Sequence, residues 1–222
     1  MPVRPSFAEA ESHLQKSCAL MRRLVQTIGP CDLLPIRRRA PYESLMRAIA
    51  HQQLNGKAAE TILGRFVGLY SGSAFPTPEE VIATAHEKLR GVGFSEAKVK
   101  SLYDIAAKTL DGTVPTTRAI VKMTDAAIIE RLVSVRGVGR WTVEMLLIFQ
   151  LGRPDILPVD DFGVRNGFRV IRKLENMPTP KELALFGQRW APHRTVAAWY
   201  LWRAADRDKI RAAKAKTKGR GK

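Results

Sequence analysis

Leu132–Arg165 reads LVSVRGVGRWTVEMLLIFQLGRPDILPVDDFGVR, and the fold is decided there. Three parts follow in order: a Gly-Val-Gly turn at Gly137–Gly139, a mostly apolar run from Trp141 to Leu151, and Leu157-Pro158-Val159-Asp160-Asp161-Phe162-Gly163, where two acids follow a proline. Glycine at 137 and 139 lets the backbone bend through positive φ and keeps side chains out of a ligand's way. The N–H groups entering the helix at Trp141 then form a concave donor set for an anion, helped by the helix dipole. The plainer alternatives are an αα-corner for the glycines and an N-cap pair for the acids. The order helix, L-x-x-V-x-G-V-G-x-x-T, helix, in a strongly basic chain, favours the anion site.

That basic character is the unusual quantity in the composition: 37 Lys+Arg against 21 Asp+Glu give +16 over 222 residues. Such an excess favours a polyanionic partner, nucleic acid before an acidic membrane surface. No apolar run has spanning length and Met1–Ser17 has no signal-peptide pattern, so the expected location is cytoplasmic, nucleoid-associated in a bacterium. Cys18 and Cys31 are the only cysteines, and their spacing matches neither a zinc nor an iron–sulfur ligand set. Both are expected to be reduced and structural.

Working outward, apolar spacing predicts helices over 7–28, 42–50 and 57–70. Thr77-Pro78-Glu79-Glu80 starts one that runs to Leu89, and Ser95 caps another that runs to Leu110. Thr124 caps the helix that enters the turn; 163–171 forms a further one. Thr179-Pro180-Lys181-Glu182 starts the next, and Arg194–Ala205 the last. No alternating strand pattern appears. The fold class is all-α, with one domain of two packed lobes over 1–208 and a flexible basic tail over 209–222. Arg90-Gly91-Val92-Gly93 repeats Arg136-Gly137-Val138-Gly139, which suggests two similar helix–helix turns.

Leu132–Thr142 resembles the helix-hairpin-helix motif of base-excision DNA glycosylases, and Leu157–Gly163 resembles the Gly/Pro-rich loop and catalytic aspartate that follow it. Within that superfamily the chain is most similar to the alkylation-repair branch, DNA-3-methyladenine glycosylase II, in a compact form. Further matches are Arg47-Ala48-Ile49-x-x-Gln52-Gln53-Leu54, Leu89-x-x-x-Gly93-Phe94-Ser95-x-x-Lys98 and Arg189-Trp190-x-Pro192-x-Arg194. The resemblance implies a two-lobed helical bundle with the hairpin motif at about 124–151 and an active-site cleft between lobes. It also implies hydrolysis of the N-glycosidic bond of alkylated purines flipped out of double-stranded DNA, by a monomer.

The resemblance places the catalytic acid second in the doublet, at Asp161, with Asp160 as the alternative or as a cap. Trp141 stands where members that also nick the backbone carry a Schiff-base lysine, so the chain is expected to be monofunctional. A tryptophan there also suits a cationic methylated purine through cation–π attraction. Met145, one turn on, is expected in the same base pocket, and Trp202 falls at a second pocket aromatic or in the core. Gln53, with Leu54 as the alternative, is expected to plug the hole left by the flipped base, and Asn55 to reach the minor groove. Lys57, Ser95, Lys98, Arg136 and Arg140, with Gly137 and Gly139, are the candidate phosphate contacts. No cofactor or iron–sulfur cluster is expected; relatives can hold a monovalent cation at the hairpin through carbonyl oxygens.

Overall fold

The computed structural model describes residues 7–36, 39–72 and 75–219, with side chains through 210. Parts of the basic connector (37 and 38), of the loop at 72–76 (73 and 74) and of the tail fall outside the described residues. Among those described there are thirteen α-helices and no strand. The chain divides into two compact units, Met1–Pro35 with Gly152–Lys222, and Ile36–Leu151.

In the first unit, the single helix expected over 7–28 is two: α1 (Ala8–Ser17) and α2 (Ala19–Ile28), parted at Cys18, where the backbone is extended. Ser17 Oγ donates to Leu14 O, which draws a carbonyl away from the helical ladder at the break. The split lets two short faces bury separately, Ala10 and Leu14 from α1 and Met21, Leu24 and Val25 from α2.

The second unit contains α3 (Pro41–His51), α4 (Gly56–Val67), α5 (Pro78–Ala83), α6 (His86–Gly91), α7 (Glu96–Leu110), α8 (Thr117–Ile120), α9 (Asp125–Leu132) and α10 (Arg140–Leu146). Asn55, Thr77, Ser95, Thr116 and Thr124 each accept a backbone N–H three residues on, fixing five helix starts with local bonds. The helix expected from Thr77 to Leu89 ends early because Tyr103 Oη donates to Thr84 O at 2.6 Å, a tertiary bond at the split between α5 and α6. The core joins Leu45, Met46 and Ile49 of α3 to Val99, Leu102 and Ile105 of α7. Phe66 is its aromatic centre, edge-on to Tyr70, Phe75 and Phe94. After α10 the chain winds as a π-helix over Leu147–Leu151.

The first unit resumes with α11 (Phe162–Arg172), α12 (Pro180–Gly187) and α13 (Arg194–Gly219). Thr179 and Glu182 close a capping box at α12. A Cβ on Gly167 would lie 1.9 Å from Leu201 O, so α11 and α13 touch backbone to backbone. Trp190 is fully buried against Phe168 and Phe186 as a core residue. The backbone of α13 stays helical through Gly219, where the sequence suggested a tail without structure from 209. Ala, Lys and Arg dominate that stretch, and all three are strong helix formers that extend a helix already nucleated by packing. No described helix is long and apolar enough to cross a membrane.

Candidate active site and nucleic-acid interface

The loop that carries the acid pair is fastened to α13 at two points. At its start, Asp155 takes the Arg194 guanidinium in a bidentate pair at 2.7 and 2.8 Å and caps the Arg194 N–H at 3.2 Å. The hydrogen bond from Arg194 is the main cause that holds the Asp155 carboxyl below its ordinary pKa. Buried Thr195 donates to Arg153 O at 2.6 Å and accepts from Ile156 N at 3.0 Å. At the loop's end, Asp161 Oδ1 accepts from Trp202 Nε1 and from Val164 N, both at 2.8 Å. Arg194 and Trp202 are about 12 Å apart along the helix axis, so α13 acts as a splint for the loop.

Asp161 is therefore the N-cap of α11, the plainer alternative weighed above, and is also held by an indole. Two N–H donors on one oxygen fix the carboxylate plane without neutralising its charge. Gly163 makes room: a Cβ there would lie 2.8 Å from Trp202 Cδ1. Asp161 is half-buried and Asp160 exposed, so the two acids have different surroundings. Trp202, expected as a stacking aromatic or core residue, spends its N–H on Asp161. Arg165 ties α11 to Pro178 O through Nε at 2.9 Å.

In the second unit, Gly137 has φ 78° and sits where a Cβ would lie 2.5 Å from Ser101 Oγ. Its carbonyl accepts from Gln52 Nε2 at 3.0 Å, and the Arg136 N–H donates to Asp104 Oδ2 at 2.7 Å. Gln52 thereby joins the hairpin to the loop of Gln53, Leu54 and Asn55. Gln53 holds a left-handed φ of 57° and is exposed, as are Leu54 and Lys57. The Asn55 side chain, expected to reach outward, caps α4 through Ala58 N.

Gly139 is the N-cap of α10 and brings no side chain to its first turn. Arg140 pairs through Nε with Glu144 at 2.9 Å; Arg136 is exposed; Ser95 caps α7. Lys98 differs from the expected surface contact. Its ammonium donates to Ala50 O at 2.9 Å and Gln52 O at 2.8 Å, closing the C-terminal end of α3, and burial lowers its pKa. The end of α3 has carbonyls lacking helical partners, and a lysine on α7 satisfies them.

Trp141 is 45% exposed at the start of α10. Met145 lines a cavity of about 240 Å³ with Leu146, Phe149 and Gln150, and Trp141 is not among its lining residues. Phe149 and Gln150 were not singled out from the sequence; a glutamine inside the apolar run from Trp141 to Leu151 was the available signal. The hairpin carbonyls of Val135 and Gly137 accept from Val138 N and Gln52 Nε2. Each oxygen has a second lone pair, a donor set that fits a monovalent cation. No group of three or more His, Cys, Asp or Glu among the described residues is placed to hold a metal. Cys18 and Cys31 are both free thiols, and burial pushes Cys31 up to about 12.

Residues 46–193 match the HhH-GPD superfamily of base excision DNA repair proteins, and the chain belongs to that superfamily. It is 42% identical to DNA-3-methyladenine glycosylase 1 of Schizosaccharomyces pombe over 203 residues, 90% of this chain and 88% of that protein. The solved structure of the S. pombe 3-methyladenine DNA glycosylase Mag1 in complex with abasic DNA matches with a TM-score of 0.78 and 43% identity, over 88% of this chain and 95% of that one. A DNA-3-methyladenine glycosidase from Bacillus halodurans matches with a TM-score of 0.81 and 30% identity, over 90% and 91% of the two chains.

Proposed function

We propose that this protein is a monofunctional DNA glycosylase of base-excision repair that removes alkylated purines of the 3-methyladenine and 7-methylguanine type. The observation that carries the reading is Asp161, a half-buried carboxylate held by Val164 N and Trp202 Nε1 within a chain of this superfamily. As the bond from C1′ to the base nitrogen breaks, its electron pair leaves with the damaged base and the sugar becomes cationic. A fixed carboxylate stabilises that charge far better in a water-poor site than in bulk solvent. Water then adds to C1′, its proton passing to Asp161 or to solvent, and an abasic site remains.

Double-stranded DNA containing alkylated bases is the partner, and the +16 charge makes its binding salt-sensitive. The hairpin at Gly137–Gly139, with Arg136 and Arg140 beside it, serves the phosphates; Gln53 or Leu54 serves the vacated stack. A monovalent cation held by the Val135 and Gly137 carbonyls would add positive charge facing a phosphate. With tryptophan at position 141, no amine stands where a Schiff base with the sugar would form.

The test is chromatography of bases released from methylated duplex DNA. Wild-type protein should release 3-methyladenine or 7-methylguanine. Asp161→Asn should lose about 100-fold or more in rate while DNA affinity stays. Borohydride should trap no covalent complex. Absence of base release by wild-type protein would favour the rival reading, a non-catalytic binder of distorted DNA, and a trapped adduct would restore lyase chemistry.

A further inference from the structure

The π-helix after α10 changes what its residues face. Each wider turn shifts the register of the side chains that follow, and such turns gather at functional sites. Here it is pinned by Ile36 N, which donates to Phe149 O at 2.6 Å. Gln150 is 6% exposed. Its Nε2 donates to the backbone carbonyl of Arg39. A carbonyl oxygen can only accept, so the amide nitrogen must face Arg39 and the orientation of the Gln150 amide is fixed. Gln150 Oε1 is then a buried acceptor with no hydrogen-bond partner among the described residues. Buried acceptors are ordinarily satisfied, so an unsatisfied one calls for a donor.

Gln150 lines the cavity of about 240 Å³ together with Ala48, Met145 and Phe149. This is below the roughly 300–1,000 Å³ of pockets for drug-sized ligands, a size for one heterocycle rather than a nucleotide. Other polar groups on the wall are already engaged: Arg47 with Glu43 at 2.7 Å, and His51 with Glu60 at 3.1 Å. Met145 and Phe149 offer a thioether and a ring to an aromatic guest.

We infer that this cavity receives the purine base, and that Gln150 Oε1 selects bases carrying an amine by accepting a hydrogen bond from it. The inference rests on the glycosylase reading and narrows its substrates. 3-Methyladenine and 7-methylguanine both keep an exocyclic amine. Ethenoadenine, whose amine nitrogen is locked in a fused ring, has no N–H to give.

The test compares wild-type protein with Gln150→Met, which keeps chain length and removes the amide. Single-turnover release of 3-methyladenine should fall roughly ten-fold, the effect of one buried hydrogen bond, while release of ethenoadenine changes less than about two-fold. Parallel loss of both, or loss of neither, overturns the selection. Because the variant also loses the bond to Arg39, a second arm uses wild-type protein alone. Binding of free adenine, followed by ligand-observed NMR at millimolar concentration, should perturb Met145 and Phe149, and an analogue with its amine doubly methylated should bind at least about ten-fold more weakly. Equal binding of the two, or binding of neither, overturns the cavity assignment. The NMR arm needs no catalysis, so a wild-type protein that releases no base would defeat the glycosylase reading without deciding this one.

Discussion

Arg90-Gly91-Val92-Gly93 and Arg136-Gly137-Val138-Gly139 are the same four residues, and the fold uses them differently. In the first, Gly91 ends α6 and the second glycine takes the positive φ, 113° at Gly93. Arg90 is turned back onto Phe94 O at 2.6 Å, and Ser95 then caps α7 with its own hydroxyl, followed by an acid at Glu96. In the second, the first glycine takes the positive φ, 78° at Gly137, and the second is itself the cap of α10. No side chain covers the first turn of α10 and no acid stands in it. One helix start satisfies itself, while the other presents backbone donors and Arg136 to an outside anion. What separates them is where the helix begins relative to the tetrapeptide, two residues beyond it or at its last glycine.

Gly137→Ala should break this contrast with the largest effect. The left-handed φ costs a side chain about 1–2 kcal/mol, and the added Cβ would meet Ser101 Oγ at 2.5 Å, an atom held in place by its bond to Ala97 O. A total loss of about 3 kcal/mol is expected, read as a fall in Tm of several degrees together with weakened DNA binding. Gly139→Asp should sharpen it. Nothing lies within 4 Å of a Cβ there, so the variant folds and gains a few tenths of a kcal/mol from a proper cap. Its DNA affinity should drop roughly ten-fold, because the new carboxylate takes the donors and repels phosphate; titration at two salt concentrations would measure both parts. Gly93→Ala is the smallest. Its Cβ meets only Ile62 Cγ1 at 3.1 Å, the movable part of a side chain, so about 1–2 kcal/mol of backbone strain is expected with DNA affinity unchanged. Lost affinity in that variant would mean that the two turns act alike.

The helix starts were legible from the chain because a cap is a bond across three residues: Thr77, Ser95, Thr124 and Thr179 all form as their spacing requires. The interruptions at Cys18 and Thr84 were not. At Thr84 the competing partner is the hydroxyl of Tyr103, on another helix. Lys98 reads as a surface cation in sequence and is instead a clamp on two carbonyls of the α3 end. Asp161 was legible as the acid to watch, both as a cap and through resemblance, but its second donor was not, since Trp202 lies far along the chain. Gln150 had only its polarity among apolar neighbours to mark it, and a change of helical register cannot be read from periodicity.

The sequence by itself determined the all-α class, the caps, the hairpin glycines, the acid doublet and the basic charge, because each rests on local geometry or simple composition. Only the tertiary structure decided which glycine of each turn bends left-handed, which oxygen of Asp161 is held and by what, and which buried amide keeps an unmet acceptor. Those outcomes depend on atoms brought together by packing from distant segments, where a shift of about one bond length separates a hydrogen bond from a clash.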